Sequence, residues 1–219
     1  EILAENETFW AKAADQDLKP VLAVTRPREP GEKLSFVERC SKAARLPLER
    51  SAQVLTVGAF YSHARNEWGV EVQKSGDLEK AGAHFELARQ LNADNVVAQI
   101  NQEYNQRLRG GESAPLQIPK SVEDRLGKYR TWDQALGENG PYDEPGFCYA
   151  QGDAFVRSGL YRQAAQSVDR VRVFSPGDLP SRMWLARLNL MARLPEKTLE
   201  LTREIRGHPE RFTLNRTNH

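Results

Sequence analysis

Residues 62–95 read SHARNEWGVEVQKSGDLEKAGAHFELARQLNADN, and this stretch decides the fold. Ala64, Trp68, Gly69 and Val72 recur at three- and four-residue steps and so share one helical face. After Ser75-Gly76-Asp77, Leu78, Ala81, Phe85, Ala88 and Leu91 repeat the same spacing on a second helix. Small residues, Gly69 on the first helix and Ala81 and Ala88 on the second, let two helix axes approach. Trp68 and Phe85 fill the space beside them. A hairpin of this size cannot bury its apolar stripe alone, so stacked neighbours are expected.

The order Trp68-Gly69, Val72, Gly76-Asp77-Leu78, Ala81, Phe85, Ala88 resembles the tetratricopeptide repeat, whose period is 34 residues. Ala93 stands where that family usually carries a proline. The resemblance implies an all-α protein of helical hairpins stacked in a right-handed α-solenoid, and a role in binding protein partners.

Toward the N-terminus, residues 1–17 are expected to form one helix, with Leu3, Phe9, Trp10 and Ala13 available for packing. Pro20, Pro27, Pro30 and Gly31 then predict an extended linker over 18–34, in which residues 21–24 could form a short strand without a partner. Residues 1–34 thus form an N-terminal helix and linker ahead of a repeat domain over 35–219. Ser35 to Glu38 has the form of a capping box. It starts a helix running to about Arg45, with Phe36, Cys40, Ala43 and Ala44 inward, that Pro47 ends. No proline occurs from Leu48 to Leu108, so the first repeat helix is expected to be long, from about Leu48 to Lys74.

Toward the C-terminus the period continues. Ala98 follows Ala64 and Gly110 follows Gly76 by 34 residues, marking a second unit over 96–140 with an expanded loop at 110–120. Its second helix is expected to be capped at Ser121 and to run to about Leu136. Trp132 and Ala135 take the places of Phe85 and Ala88, and Gly137 and Gly140-Pro141 end the helix. A third unit, 145–178, carries Gly152, Phe155, Gly159, Ala164, Val168, Val171 and Pro176. A fourth, 179–209, has Pro195 at a helix start and Leu199, Thr202 and Ile205 as its inner face.

Composition excludes several classes. With 39% hydrophobic and 28% charged residues the chain is suited to a globular helical protein, and its longest apolar runs are too short to span a bilayer. A net charge of +1 gives no global field for nucleic acid, so no nucleic-acid partner is expected. Cys40 and Cys148 lack metal-site spacing and read as two small buried hydrophobes. The chain begins at Glu1, as expected of a processed chain or a piece of a longer one; any membrane attachment would come from a segment outside this sequence. From Gly146 onward, twelve Lys and Arg face seven Asp and Glu, which read first as a solvated face with internal ion pairs and second as a surface for an acidic partner or anionic lipid headgroups. His63, His84, His208 and His219 are dispersed, and no phosphate loop, nucleophile elbow or zinc-protease motif occurs. No enzymatic activity and no cofactor are expected.

In the family resembled, the first helix of each hairpin lines a concave groove. By position, that implies a partner-binding surface of His63, Asn66, Val70 and Gln73 from the first unit and Tyr104 and Arg107 from the second. The third unit would add Tyr149, Asp153, Val156 and Arg157, and the fourth Arg187 and Met191. The expected partner is a protein or peptide segment, extended or helical. The rival reading is a structural domain of a larger protein whose groove binds nothing.

Overall fold

A computed structural model describes residues 2–26, 36–44, 51–112, 114, 116–117 and 120–212. Among these residues every regular element is a helix and none is a strand. The chain divides into two compact units: Glu1–Gln102 with Leu136–Pro141, and Glu103–Ala135 with Tyr142–His219.

The first unit opens with α1 (Ile2–Gln16) and α2 (Lys19–Thr25). The expected linker is therefore helical through Thr25. Pro20 sits in the first turn of α2, where its missing N–H has no intrahelical partner to lose, so proline is tolerated there. Leu18 and Thr25 are buried, and α2 packs on both α4 and α5, described next. Trp10 and Ala13 of α1 pack inward as expected, whereas Leu3 and Phe9 are exposed. Then α3 (Phe36–Ala43) exposes Phe36, Cys40 and Ala43, which corrects the inward face assigned to it. The cap expected at Ser35 and the stop at Pro47 lie outside the described residues.

The long helix α4 (Ala52–Lys74) and α5 (Leu78–Leu91) form the hairpin that the 62–95 pattern announces. Asp77 caps α5, its carboxylate accepting from the Lys80 amide at 3.1 Å. Gly76, at φ 95°, makes the turn. Ala81 and Phe85 are buried against Val70 and Val72 with Trp68 packed alongside, and Ala88 and Leu91 are buried further along α5. Burying a side chain the size of Phe85 contributes about 1.5–3 kcal/mol. Two glycines of α4 set the approach distance. A Cβ on Gly69 would lie 2.6 Å from the Phe85 ring, and one on Gly58 would lie 2.6 Å from the Leu91 carbonyl oxygen.

Helix α6 (Val96–Arg109) carries the division between the units. The single helix expected to follow the 110–120 loop is two short ones, α7 (Lys120–Leu126) and α8 (Trp132–Asn139), and Gly137 lies inside α8 rather than ending it. The chain leaves α8 at Gly140, at φ 88°.

In the second unit α9 (Pro145–Arg157), α10 (Tyr161–Phe174), α11 (Leu179–Met191) and α12 (Pro195–Gly207) pack each against the next, and a 3-10 turn (Pro209–Arg211) follows. Ala164, Ala165, Val168, Leu185, Leu188 and Leu201 form its core. Gly152 lies where a Cβ would meet Val168 at 2.8 Å and Trp184 at 3.2 Å. On α12 the buried position is Leu201; Leu199 and Thr202, assigned inward from sequence, are exposed. Leu201 joins Leu185 and Leu188 of α11 in the core, and Thr198 Oγ1 donates to the Ala186 carbonyl at 3.1 Å, while Ile205 is half-buried.

Candidate functional site

The positions assigned to a groove in the first unit are occupied by the chain itself. Asn66 is fully buried, and its Nδ2 donates to the carbonyls of Asn139 at 2.9 Å and Pro141 at 3.0 Å. Its Oδ1 accepts from Asn101 Nδ2 at 2.8 Å, and Asn101 also donates to the Pro141 carbonyl at 2.9 Å. Asn95 Nδ2 reaches the Asn139 carbonyl at 3.1 Å and Ser62 Oγ at 2.9 Å, while its Oδ1 caps α6 at the Ala98 amide. Three asparagines thus receive residues 139–141. Val70 belongs to the hairpin core, and Gln73 is buried. His63 is half-buried, with Nε2 3.8 Å from the Glu67 carboxylate.

A second polar cluster fastens α1 to the hairpin. The Glu7 Oε1 atom accepts from Trp68 Nε1 at 2.5 Å and from His84 Nε2 at 2.8 Å. Arg65 donates to His84 Nδ1 at 2.7 Å and to the Trp10 carbonyl at 2.7 Å, and its guanidinium lies 4.4 Å from the centre of the Trp10 ring. Arginine only donates, so His84 is neutral with its proton on Nε2. Burial holds the His84 pKa below its ordinary value; the Glu7 bond opposes this and the Arg65 charge adds to it. Burial likewise lowers Arg65 to about 10. For Glu7 burial acts upward, but the bonds from Trp68 and His84 outweigh it and the carboxyl is depressed. Glu7, Arg65 and His84 are too far apart in sequence for any spacing rule to unite them, and sequence reasoning missed the cluster.

In the second unit Tyr104 is fully buried, edge-on to Phe174 at 5.1 Å, and burial pushes its hydroxyl pKa up. Arg107 pairs with Glu112 at 3.0 Å. Tyr104 is therefore not available as a groove residue, whereas Arg107 stays partly exposed. Nearby, Arg170 forms an ion pair with the buried Asp143, and Glu144 accepts from the Phe147 and Leu116 amides, each at 2.8 Å. Glu144 therefore caps α9 and holds the 110–120 loop at Leu116.

The remaining positions stay at the surface. Tyr149 lies 36% exposed with its ring centre 4.4 Å from that of Trp184. Asp153 pairs with Arg157, whose side chain is 80% exposed. Val156 is half-buried against the core. On α11 Arg187 and Met191 are exposed one turn apart, with Met183 exposed one turn before them. Tyr149 of α9 thus meets Trp184 of α11, a residue the sequence pattern did not single out, and α11 itself carries the exposed Met183, Arg187 and Met191 at helical spacing.

Among the described residues no group of three or more His, Cys, Asp and Glu is placed to hold a metal ion, and no helix is long and apolar enough to cross a membrane. No family model matches the chain, and no curated protein is significantly similar to it.

Proposed function

We propose that this chain is a partner-binding scaffold built of tetratricopeptide-like hairpins, and that it uses the α9–α11 face of its second unit. The observation that carries this reading is the occurrence of Tyr149, Trp184, Met183, Met191, Arg157 and Arg187 on two helices that meet at the Tyr149–Trp184 contact, with Trp184 and Val156 packed on the core. Aromatic, methionine and arginine side chains dominate binding energy at protein interfaces. The partner is a protein segment that lays apolar side chains beside Tyr149 and Met191 and an acidic residue near Arg187. Affinity capture with the intact chain, followed by the Arg187→Glu and Met191→Ser double variant, tests it. Both side chains are exposed, so the variant keeps its melting temperature while binding to the captured partner falls at least tenfold, about 1.4 kcal/mol. Unchanged binding by the folded variant overturns the reading.

For the first unit a structural reading is favoured. Its three asparagines are engaged with residues 139–141, leaving no free carboxamide ladder for a partner's backbone.

A further inference from the structure

Helices α10, α11 and α12 enclose a cleft of ≈ 380 Å³ in the second unit, away from the α9–α11 surface just described. Ala165, Leu185 and Leu201 make an apolar floor. Set in that floor is Asn189, only 4% exposed, whose carboxamide finds no hydrogen-bond partner among the described residues yet is not sealed from the cleft. A buried amide without partners is costly, and folded proteins rarely tolerate one unless something else bonds it.

The charges around Asn189 are of both signs. Arg172 is neutralised by Asp169 at 2.7 Å, and Glu204 by Arg182 at 2.8 Å. Among the described residues, that leaves Arg162, Lys197 and Glu200 at the cleft with no ion-pair partner. Because α11 turns back between them, α10 and α12 run the same way, which places Arg162 and Lys197 at one end, each in the first turn of its helix. Neither helix start has a side-chain cap, so unbonded backbone N–H groups add to the positive potential there. Glu200 stands about one turn further along α12.

Two unpaired cations, one unpaired anion, a carboxamide and an aliphatic floor match one ligand class. We propose that this cleft binds a free acidic α-amino acid, with its two carboxylates at Arg162 and Lys197 and its ammonium at Glu200. The Asn189 carboxamide hydrogen-bonds the α-carboxylate, and the methylene stem lies on Leu185 and Leu201. The volume lies at the small end of the range typical of small-molecule sites. The inference stands independently of the partner-binding proposal, since it uses a different face and different residues.

The test is a titration of the intact chain with L-glutamate, followed by amide and carboxamide NMR shifts, beside succinate and L-lysine. Saturable shifts are expected at the Asn189 side chain and at Lys197 and Glu200 with L-glutamate, and at least tenfold weaker binding of succinate, which lacks the ammonium, and of L-lysine. Glu200→Gln and Arg162→Gln, both at exposed positions and so expected to fold, should each weaken L-glutamate at least tenfold. Asn189→Leu should abolish binding. Three results would overturn the proposal: no saturable shift, meaning that water alone serves Asn189; succinate bound as tightly as L-glutamate, meaning a simple anion site; or binding unaffected by both surface variants.

Discussion

Gly69 lies under the Phe85 ring, and three of the carbons around it are close enough to be struck by a side chain there. Gly69→Leu should overpack the hairpin by about 1–3 kcal/mol or more, read as a lower melting temperature. Gly111 makes a different case: nothing crowds it, but its φ of 82° makes Gly111→Ala cost about 1–2 kcal/mol through backbone strain alone. Arg193 holds the same left-handed conformation, at φ 61°, without being glycine. Arg193→Gly should therefore stabilise the chain by up to about 1 kcal/mol, measured by denaturant unfolding. The two cysteines separate as cleanly. Burial pushes the Cys148 thiol up to about 12, while Cys40 is exposed, so one thiol should react with iodoacetamide in the native protein and two after unfolding.

At the scale of elements, the α1 attachment is sensitive to pH. The folded His84 pKa lies below the ordinary 6.5, so the neutral ring contributes stability that is fully present above about 6.5 and is lost as pH falls toward the folded value. Glu7, depressed below its ordinary 4.5, loses its contribution in a second window at lower pH. Acidification therefore weakens α1 docking in both windows, and Trp10 and Trp68 fluorescence should report it. In His84→Gln the first window should vanish while the second remains. None of this was legible in the sequence, because a cluster drawn from α1, α4 and α5 has no period. The hairpin faces were legible: Ala81, Phe85, Ala88 and Leu91 repeat a stripe that only one packing satisfies. Legibility failed where two registers were nearly degenerate, as on α12, where Leu199 and Leu201 both continue an apolar spacing and packing chose Leu201. It also failed at Pro20, where a helix breaker sits at the one place in a helix that tolerates it. In the candidate site, Arg187 and Met191 were legible as exposed positions of a helix, but the burial of Asn66 and Tyr104 depended on segments remote in sequence.

At the scale of the whole molecule, the chain is interleaved. It leaves the first unit within α6, returns for Leu136–Pro141 and leaves again. The first unit therefore cannot be completed by residues 1–102 alone. Its asparagines need the 139 and 141 carbonyls, and Gly140 is the only residue type that suits the passage between them. Its φ is 88°, and a Cβ there would lie 2.8 Å from Asn66 Nδ2 and 3.2 Å from the His63 carbonyl oxygen. Gly140→Ala should thus cost more than the strain of positive φ alone, because the new methyl would also push Asn66 off its two carbonyls. Asn66→Ala should cost about 1–3 kcal/mol: the two carbonyls keep the Asn95 and Asn101 donors but lose that of Asn66, and Asn101 loses its bond to Asn66 Oδ1. The two effects share one mechanism, so they should not add. In the double variant the combined loss should fall short of the sum by about 0.5 kcal/mol or more, measured by urea unfolding. Strict additivity would mean that residues 139–141 are held independently of Asn66, and the asparagine ladder would then not be what binds the returning segment to the first unit.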